Sequence, residues 1–327
     1  MTAKPRVLVT RRLPEAVEAA LRGRFDITQR PGDQALSEAE LHEGLRAHDA
    51  VLCTVTDRIG AERFEGGVRA RLLANFGVGV NHIALDAAAR AGVVVTNTPD
   101  VLTDDTADIA MLLMLGVLRR AGEGERELRS GAWRGWRPTH LLGRRLTGRT
   151  LGIVGFGRIG RAVAQRAQLG FGMRVLAWTR TVPAEGAREG VTFVGSLEEL
   201  LPRVDVLSLH CPATPETRHL IGTAELARLP RGAVLVNTAR GDVVDEHALV
   251  DALRSGHLSG AGLDVFEQEP DVHPGLLVRD DVMLLPHLGS ATQETRVAMG
   301  MRAVANLDAF FRGAPPPDRL LLPATPL

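Results

Sequence analysis

Tyrosine is absent from this 327-residue chain, and Lys4 is its only lysine. A catalytic Tyr–Lys pair is therefore excluded. So is a Walker-type phosphate loop, which needs a lysine behind a glycine-rich turn. Any Schiff-base chemistry would fall to Lys4, at the chain terminus. The two cysteines, Cys53 and Cys211, lie far apart and away from any histidine cluster. They suggest neither a disulfide framework nor a metal site; Cys53 reads as a small core hydrophobe and Cys211 as the end of a strand. Formal net charge is zero, without the basic excess of a nucleic-acid binder. The longest apolar helix-like stretch, Ile109–Leu118, is too short to span a bilayer. The strand-like run Arg6–Thr10 begins before an apolar signal core could fit. A cytoplasmic protein with no membrane or nucleic-acid partner is the expectation.

What is present is alternation. Short apolar runs at Arg6–Thr10, Ala50–Thr54, Leu72–Asn75 and Val93–Thr96 are separated by helical patterns, which predicts parallel strands with crossover helices. Pro14 suits the start of the first helix and Gly23 its end. Thr103–Ala121 reads as one long helix, with Asp104 and Asp105 in its first turn and Arg119 and Arg120 in its last. The polar, Trp-bearing stretch Gly122–Arg149 fits no βα unit and reads as an arm.

A second alternating series starts at Thr150, with strand candidates at Leu151–Val154, Arg174–Trp178, Val204–Leu209, Ala233–Asn237, Gly260–Asp264 and Val282–Leu285. A last helix, Gln293–Arg312, places Val297, Met301, Val304 and Phe311 along one face. The second series is complete without it, so it is expected to return to the first domain. The expectation is α/β throughout: a Rossmann-like doubly wound sheet (residues 102–290) inserted in a flavodoxin-like substrate domain (residues 1–101), with residues 291–327 as the returning helix and tail.

The sharpest motif is Gly155-x-Gly157-x-x-Gly160, between the apolar run Leu151–Val154 and a helical segment. The first glycine permits the tight turn, the second lets backbone approach a pyrophosphate, and the third lets helix pack on strand. The helix start then offers unpaired amides and a positive dipole end to phosphate. In such a fold an acidic residue ends the second strand and binds the adenosine ribose. Here Arg174–Trp178 runs into Thr179, Arg180 and Thr181. A guanidinium in place of a carboxylate suits a 2′-phosphate, so NADPH is expected to be preferred, with NADH as the alternative cofactor.

Three polar residues follow apolar strands in the second half: Arg240 in NTARGDVVDE, Glu269 in GLDVFEQEP and His287 in LPHLGSAT. Ligands in an open parallel sheet sit beyond the carboxyl ends of the strands, so the three are candidates to converge on one site. Read singly, Arg240 could instead pair with Asp242 or Asp245, and Glu269 could be an exposed turn residue. His210, at another strand end, is the one near rival to His287 as acid–base.

Six ordered segments, NFGVGVNHI, TPDVLTDDTADIAM, GIVGFGRIG, NTARGDVVDE, GLDVFEQEP and LPHLGSAT, make the chain resemble the D-isomer-specific 2-hydroxyacid dehydrogenases, and within them the glyoxylate/hydroxypyruvate reductases. The resemblance spans about Leu72 to Gly313. It implies two domains with a cleft, a homodimer, and NAD(P)H-dependent reduction of a small 2-oxoacid to the D-2-hydroxyacid. It puts the catalytic residues at Arg240, Glu269 and His287, with Glu269 favouring the charged imidazole and His287 acting as general acid. Substrate contacts are implied at Val78, Gly79, Arg240 and Ser290, and at Trp136, an aromatic that some reductases extend into the neighbouring subunit or that simply packs a dimer interface. Cofactor contacts are implied at Thr106, Gly155, Phe156, Gly157, Arg158, Ile159, Gly160, Thr179, Arg180, Thr181, Cys211, Pro212, Thr217, Thr238, Ala239, Asp264 and Gly289.

Rival readings share the fold. A phosphite dehydrogenase would carry a lysine where this chain has Val78. A phosphoglycerate dehydrogenase stays open, although no long C-terminal regulatory domain is present. A formate dehydrogenase is disfavoured by the Glu269–His287 combination. A cofactor-sensing corepressor-like protein would keep similar residues and turn over little substrate.

Overall fold

The computed structural model of the chain describes residues 3–181 and 190–320. In chain order the first elements are β1 (Arg6–Val9), α1 (Glu15–Arg24), β2 (Asp26–Gln29), α2 (Glu38–Ala47), β3 (Ala50–Thr54), β4 (Leu72–Phe76), α3 (Leu85–Arg90) and β5 (Val94–Thr96). Next come α4 (Thr103–Leu118), α5 (Ala121–Arg129), β6 (Thr150–Val154), α6 (Arg158–Phe171), β7 (Arg174–Trp178), β8 (Val191–Phe193), α7 (Leu197–Leu200) and β9 (Val206–Leu209). The rest are α8 (Thr223–Arg228), β10 (Ala233–Asn237), α9 (Glu246–Arg254), β11 (Leu258–Leu263), α10 (Pro274–Leu277), β12 (Val282–Leu284) and α11 (Gln293–Phe311).

The chain divides into two compact units, Met1–Leu102 with Thr292–Leu327, and Thr103–Ala291; the end of the tail, residues 321–327, lies outside the described residues. The first unit holds a parallel sheet ordered β2-β1-β3-β4-β5, the flavodoxin-like winding. Its central strands β3 and β4 are buried along their whole length, as continuous apolar runs in a doubly covered parallel sheet should be. Cys53 lies in that core. Helix α11 packs on α1 and β4, and the contact with α1 is set by size: a Cβ on Gly300 would collide with both methyls of Val17. The buried face of α11 is Met299, Ala303, Val304 and Leu307. Met301, expected on that face, is 40% exposed, because the 100° step per residue carries it outside the arc that these buried positions share.

The second unit holds a seven-stranded parallel sheet ordered β12-β11-β10-β9-β6-β7-β8. The order reverses between β6 and β9, which is where a Rossmann-like sheet opens its ligand crevice. Helix α4 crosses β10 and β11. Strand β11 makes room for it with Gly260 and Gly262, two residues apart on one face. A Cβ on Gly260 would meet Val117 Cγ1 at 2.5 Å, and one on Gly262 would meet Leu113 Cβ at 2.8 Å.

Two expectations need correction. Thr103–Ala121 is not one helix: Arg120 adopts φ +52°, which ends α4 at Leu118 and starts α5 at Ala121. The left-handed residue interrupts the i to i−4 ladder just where the arginines gather. The supposed arm therefore begins as helix α5, and only 130–149 is irregular. Two edge strands, β2 and β8, were not anticipated, since each is short and carries little apolar signal. Among the described residues no helix is long and apolar enough to cross a membrane.

Gly300→Ala is expected to destabilise the protein by about 1–3 kcal/mol, because stiff Val17 cannot yield without strain. Gly23→Ala, whose Cβ meets nothing within 4 Å, is expected to stabilise α1 by about 0.5–1 kcal/mol. Equal thermal midpoints for the two variants would contradict this packing.

Candidate active site

The turn from β6 to α6 is built as the glycine spacing predicts. Gly155 has φ +90°, and a Cβ there would lie 2.6 Å from the Cys211 amide nitrogen. A Cβ on Gly160 would collide with the Gly155 carbonyl oxygen, so only glycine lets α6 seat on the turn. Gly157 is the opposite case: a Cβ there meets nothing within 4 Å. Gly157 also caps α6 and, as a glycine, brings no side-chain cap to the helix start. An open space before the N-terminus of a fourteen-residue helix fits a pyrophosphate. Phe156 is buried edge-on against Phe193, with ring centres 5.1 Å apart.

Around this turn stand the other strand exits. Strand β7 leads to Thr179, Arg180 and Thr181, with Arg180 exposed. The Arg180 charge is near enough to help Thr214 and a backbone amide hold the Glu216 carboxyl below its usual value. Strand β9 leads to His210, Cys211 and Pro212. Burial pushes the Cys211 thiol up to about 11, so it is no nucleophile at neutral pH. Thr217 Oγ1 donates to the Pro212 carbonyl at 2.7 Å and holds this exit in place. His210 bonds Ser208 Oγ through Nε2 at 2.8 Å, and burial pushes it down to about 4. It therefore sits neutral, without a carboxylate to brace it.

Strand β10 leads to Thr238, Ala239 and Arg240. Asn237, which sequence reasoning passed over, organises this exit. Its Nδ2 donates to the Arg240 carbonyl at 2.8 Å and its Oδ1 accepts from the Ala239 amide at 3.0 Å. An Asn closing its own turn is the one sequence signal that could have revealed it. Next to Arg240, Gly241 lies against the backbone of Phe266 and Glu267, where any Cβ would collide. That contact ties the Arg240 loop to the segment carrying Glu269. Burial draws the Arg240 guanidinium down, opposed by the charges of Glu269 and Asp242. Thr238 is buried, and its hydroxyl has no hydrogen-bond partner among the described residues.

Strand β11 leads to Asp264, 1% exposed. Its carboxylate accepts from the amides of Leu288 at 2.6 Å and Gly289 at 2.7 Å, and its carbonyl accepts from the His287 amide at 3.0 Å. Burial pushes the Asp264 carboxyl up in spite of those donors. Thr106 Oγ1, from α4, donates to the Gly289 carbonyl at 2.8 Å. The turn 287–289 is thus held from both sides, and it keeps His287 at φ +55°, a region that non-glycine residues seldom occupy.

In that conformation His287 Nδ1 lies 2.8 Å from Glu269 Oε2, while Glu269 Oε1 accepts from the Phe266 amide at 3.0 Å. Burial would push the Glu269 carboxyl up. The hydrogen bond and charge of His287, the Phe266 amide and the Arg240 charge outweigh it and hold Glu269 below its ordinary value. Arg240, Glu269 and His287 therefore form one electrostatic group, on the exits of three neighbouring strands. Ser290 lies just past the held turn. Trp136 is 82% exposed in the irregular stretch after α5 and is not part of this group.

Val78 and Gly79 follow β4 in the first unit. The amides of Val78, Gly79 and Val80 donate to no acceptor among the described residues, and all three residues are half-buried. Successive unpaired amides are a ready site for an anion.

Because Glu269 is held below its ordinary value of 4.5, its contribution to stability is complete above that value and lost as pH falls through the lower folded-state value. The stability difference between wild type and Glu269→Gln in urea melts should be widest above pH 4.5 and narrow below it. A difference independent of pH would contradict the pairing.

Comparison with known proteins gives the family. Residues 111–289 match the family described as D-isomer specific 2-hydroxyacid dehydrogenase, NAD binding domain. A glyoxylate reductase of Thermococcus onnurineus is 45% identical over 319 residues, covering 96% of this chain and 95% of its own. An NADPH-dependent glyoxylate/hydroxypyruvate reductase of Sinorhizobium meliloti, solved with NADP and malonate, superposes with a TM-score of 0.85 at 38% identity, covering 97% of both chains. A glyoxylate reductase from Paecilomyes thermophila gives a TM-score of 0.86 at 34% identity, over 98% of this chain and 99% of that one. Likeness sustained over both units, at these identities, makes the chain a member of the D-isomer-specific 2-hydroxyacid dehydrogenase family.

Proposed function

We propose that this enzyme reduces a small 2-oxoacid, glyoxylate or hydroxypyruvate, to the D-2-hydroxyacid, using NADPH in preference to NADH. The observation that carries the reading is the 2.8 Å contact between His287 Nδ1 and Glu269 Oε2, set beside the Arg240 charge that helps hold Glu269 ionised. The relatives named glyoxylate reductase support the substrate.

The dinucleotide would be held by the Gly155–Gly160 turn and the positive N-terminal end of α6, and when bound it supplies hydride to the carbonyl carbon. Every other part falls to side chains and amides of the protein. The amides of Val78 and Gly79 take the substrate carboxylate. Arg240 donates to the carboxylate and the carbonyl oxygen and stabilises the negative charge that grows there. His287, bonded to Glu269 through Nδ1, presents Nε2 and gives its proton to that oxygen. Glu269 fixes the ring orientation through its bond to Nδ1. Asp264 and Thr106 keep the turn beneath His287 rigid. Arg180 receives the 2′-phosphate that a carboxylate at that strand end would repel, in line with the NADP-bound relative. The exposed Leu128, Trp133, Trp136 and Leu142 lie along 128–142 and suit burial against a second copy of the chain, so the working form is a homodimer.

Arg240→Ala should lower kcat/KM for glyoxylate by about 10²-fold or more, as removal of a charge-stabilising donor does; a near-wild-type value would remove Arg240 from the chemistry. Glu269→Gln should lower kcat/KM for glyoxylate, because the ring that gives the proton loses its charged brace, and an unchanged value would separate Glu269 from the proton transfer. Wild-type kcat/KM should be higher with NADPH than with NADH, and Arg180→Ala should erode that difference through NADPH alone. A clear NADH preference would overturn the cofactor assignment.

A further inference from the structure

The amides of Val78, Gly79 and Val80 are left without an acceptor among the described residues for an identifiable reason. Asn75, at the end of β4, is 1% exposed. Its Nδ2 donates to the carbonyls of Gly77 and Gly79, each at 3.0 Å. The Gly77 carbonyl also accepts from the Thr98 amide at 3.0 Å. Asn97, just past β5, donates from Nδ2 to the Val78 carbonyl between them at 2.9 Å. Behind Asn75, His82 Nε2 lies 3.1 Å from Asn75 Oδ1. The imidazole donates there, which fixes the carboxamide with its NH2 toward the loop. Three successive carbonyls are therefore tied to two side chains. In a trans peptide the N–H points opposite the preceding C=O. Each amide from Val78 to Val80 must then face away from the carboxamide that holds the carbonyl before it.

We propose that Asn75, braced by His82, and Asn97 are positioning residues for substrate-carboxylate binding. They occupy the loop carbonyls, so that only N–H groups are offered to the anion. Without them a carbonyl could rotate toward the carboxylate and replace attraction with repulsion. The proposal rests on the reading that these amides hold the substrate carboxylate. Neither asparagine touches the reacting atoms; both act through the backbone. This carboxylate is held alike before and during reaction, so loss of the brace should appear in KM for the oxoacid more than in kcat.

The test is steady-state kinetics with glyoxylate and NADPH on wild type, Asn97→Asp, His82→Leu and His82→Gln, with a thermal midpoint for each. Asn97→Asp keeps the shape and sets an acceptor against the Val78 carbonyl. It should raise KM for glyoxylate about 10-fold or more, the scale of losing hydrogen bonds to a charged group. Its kcat should change less than its KM, and its KM for NADPH should stay within about twofold. His82→Leu should raise KM for glyoxylate in the same way, and His82→Gln, which retains a donor, should restore most of it. If Asn97→Asp does not fold, Asn97→Ala and the His82 pair carry the test. An unchanged KM for glyoxylate in the folded variants, or a fall in kcat at constant KM, would overturn the proposal and leave the reductase reading standing. A wild-type enzyme that reduces no 2-oxoacid would overturn both.

Discussion

The structure turns on one hydrogen bond, from the His287 ring to the Glu269 carboxylate. Neither group would be useful without the other. Burial alone would push the carboxyl up, and an unbraced imidazole would not be fixed in one orientation. Together they give an ionised carboxylate and a ring of defined orientation, with Arg240 close enough to help hold the carboxylate charged. Much of the surrounding architecture serves to hold that bond. Asp264 gives up its carboxylate to two backbone amides, Thr106 reaches the same turn from α4, and His287 is thereby kept in a left-handed conformation that it would not choose alone.

The same economy runs through both units. Glycines are placed where backbone or helix must come close. Gly260 and Gly262 admit α4 to β11, Gly241 lets the Arg240 loop lie on the segment before Glu269, and Gly160 seats α6 on its turn. Asparagines sit at strand exits and tie the loops that follow: Asn237 holds the Arg240 loop, and Asn75 the Val78–Gly79 loop. Close packing under the sheets thus fixes the loops above them, which is the division of labour expected of α/β enzymes.

The parts legible in the sequence were those with a strong local signature. Buried parallel strands read as apolar runs, so β3, β7 and β10 were located to the residue. The glycine spacing revealed the β6–α6 turn, and polar residues after apolar runs picked out Arg240, Glu269 and His287. The parts that escaped depend on tertiary contact. β2 and β8 pair at sheet edges and need few apolar residues. The break at Arg120 lies in backbone conformation, which no residue type there announces, and Met301 has the right composition at the wrong angle. Asn237 and Asn75 act through carbonyls chosen by the fold, invisible in a string of letters.

The most direct test of the central claim is where the imidazole proton resides. Heteronuclear NMR of the His287 ring nitrogens, followed against pH, should show Nδ1 keeping its proton throughout while Nε2 gains and loses one. In Glu269→Gln that distinction between the two nitrogens should weaken. A neutral His287 protonated on Nε2, with Nδ1 bare toward Glu269, would contradict the proposed acid and the chemistry built upon it.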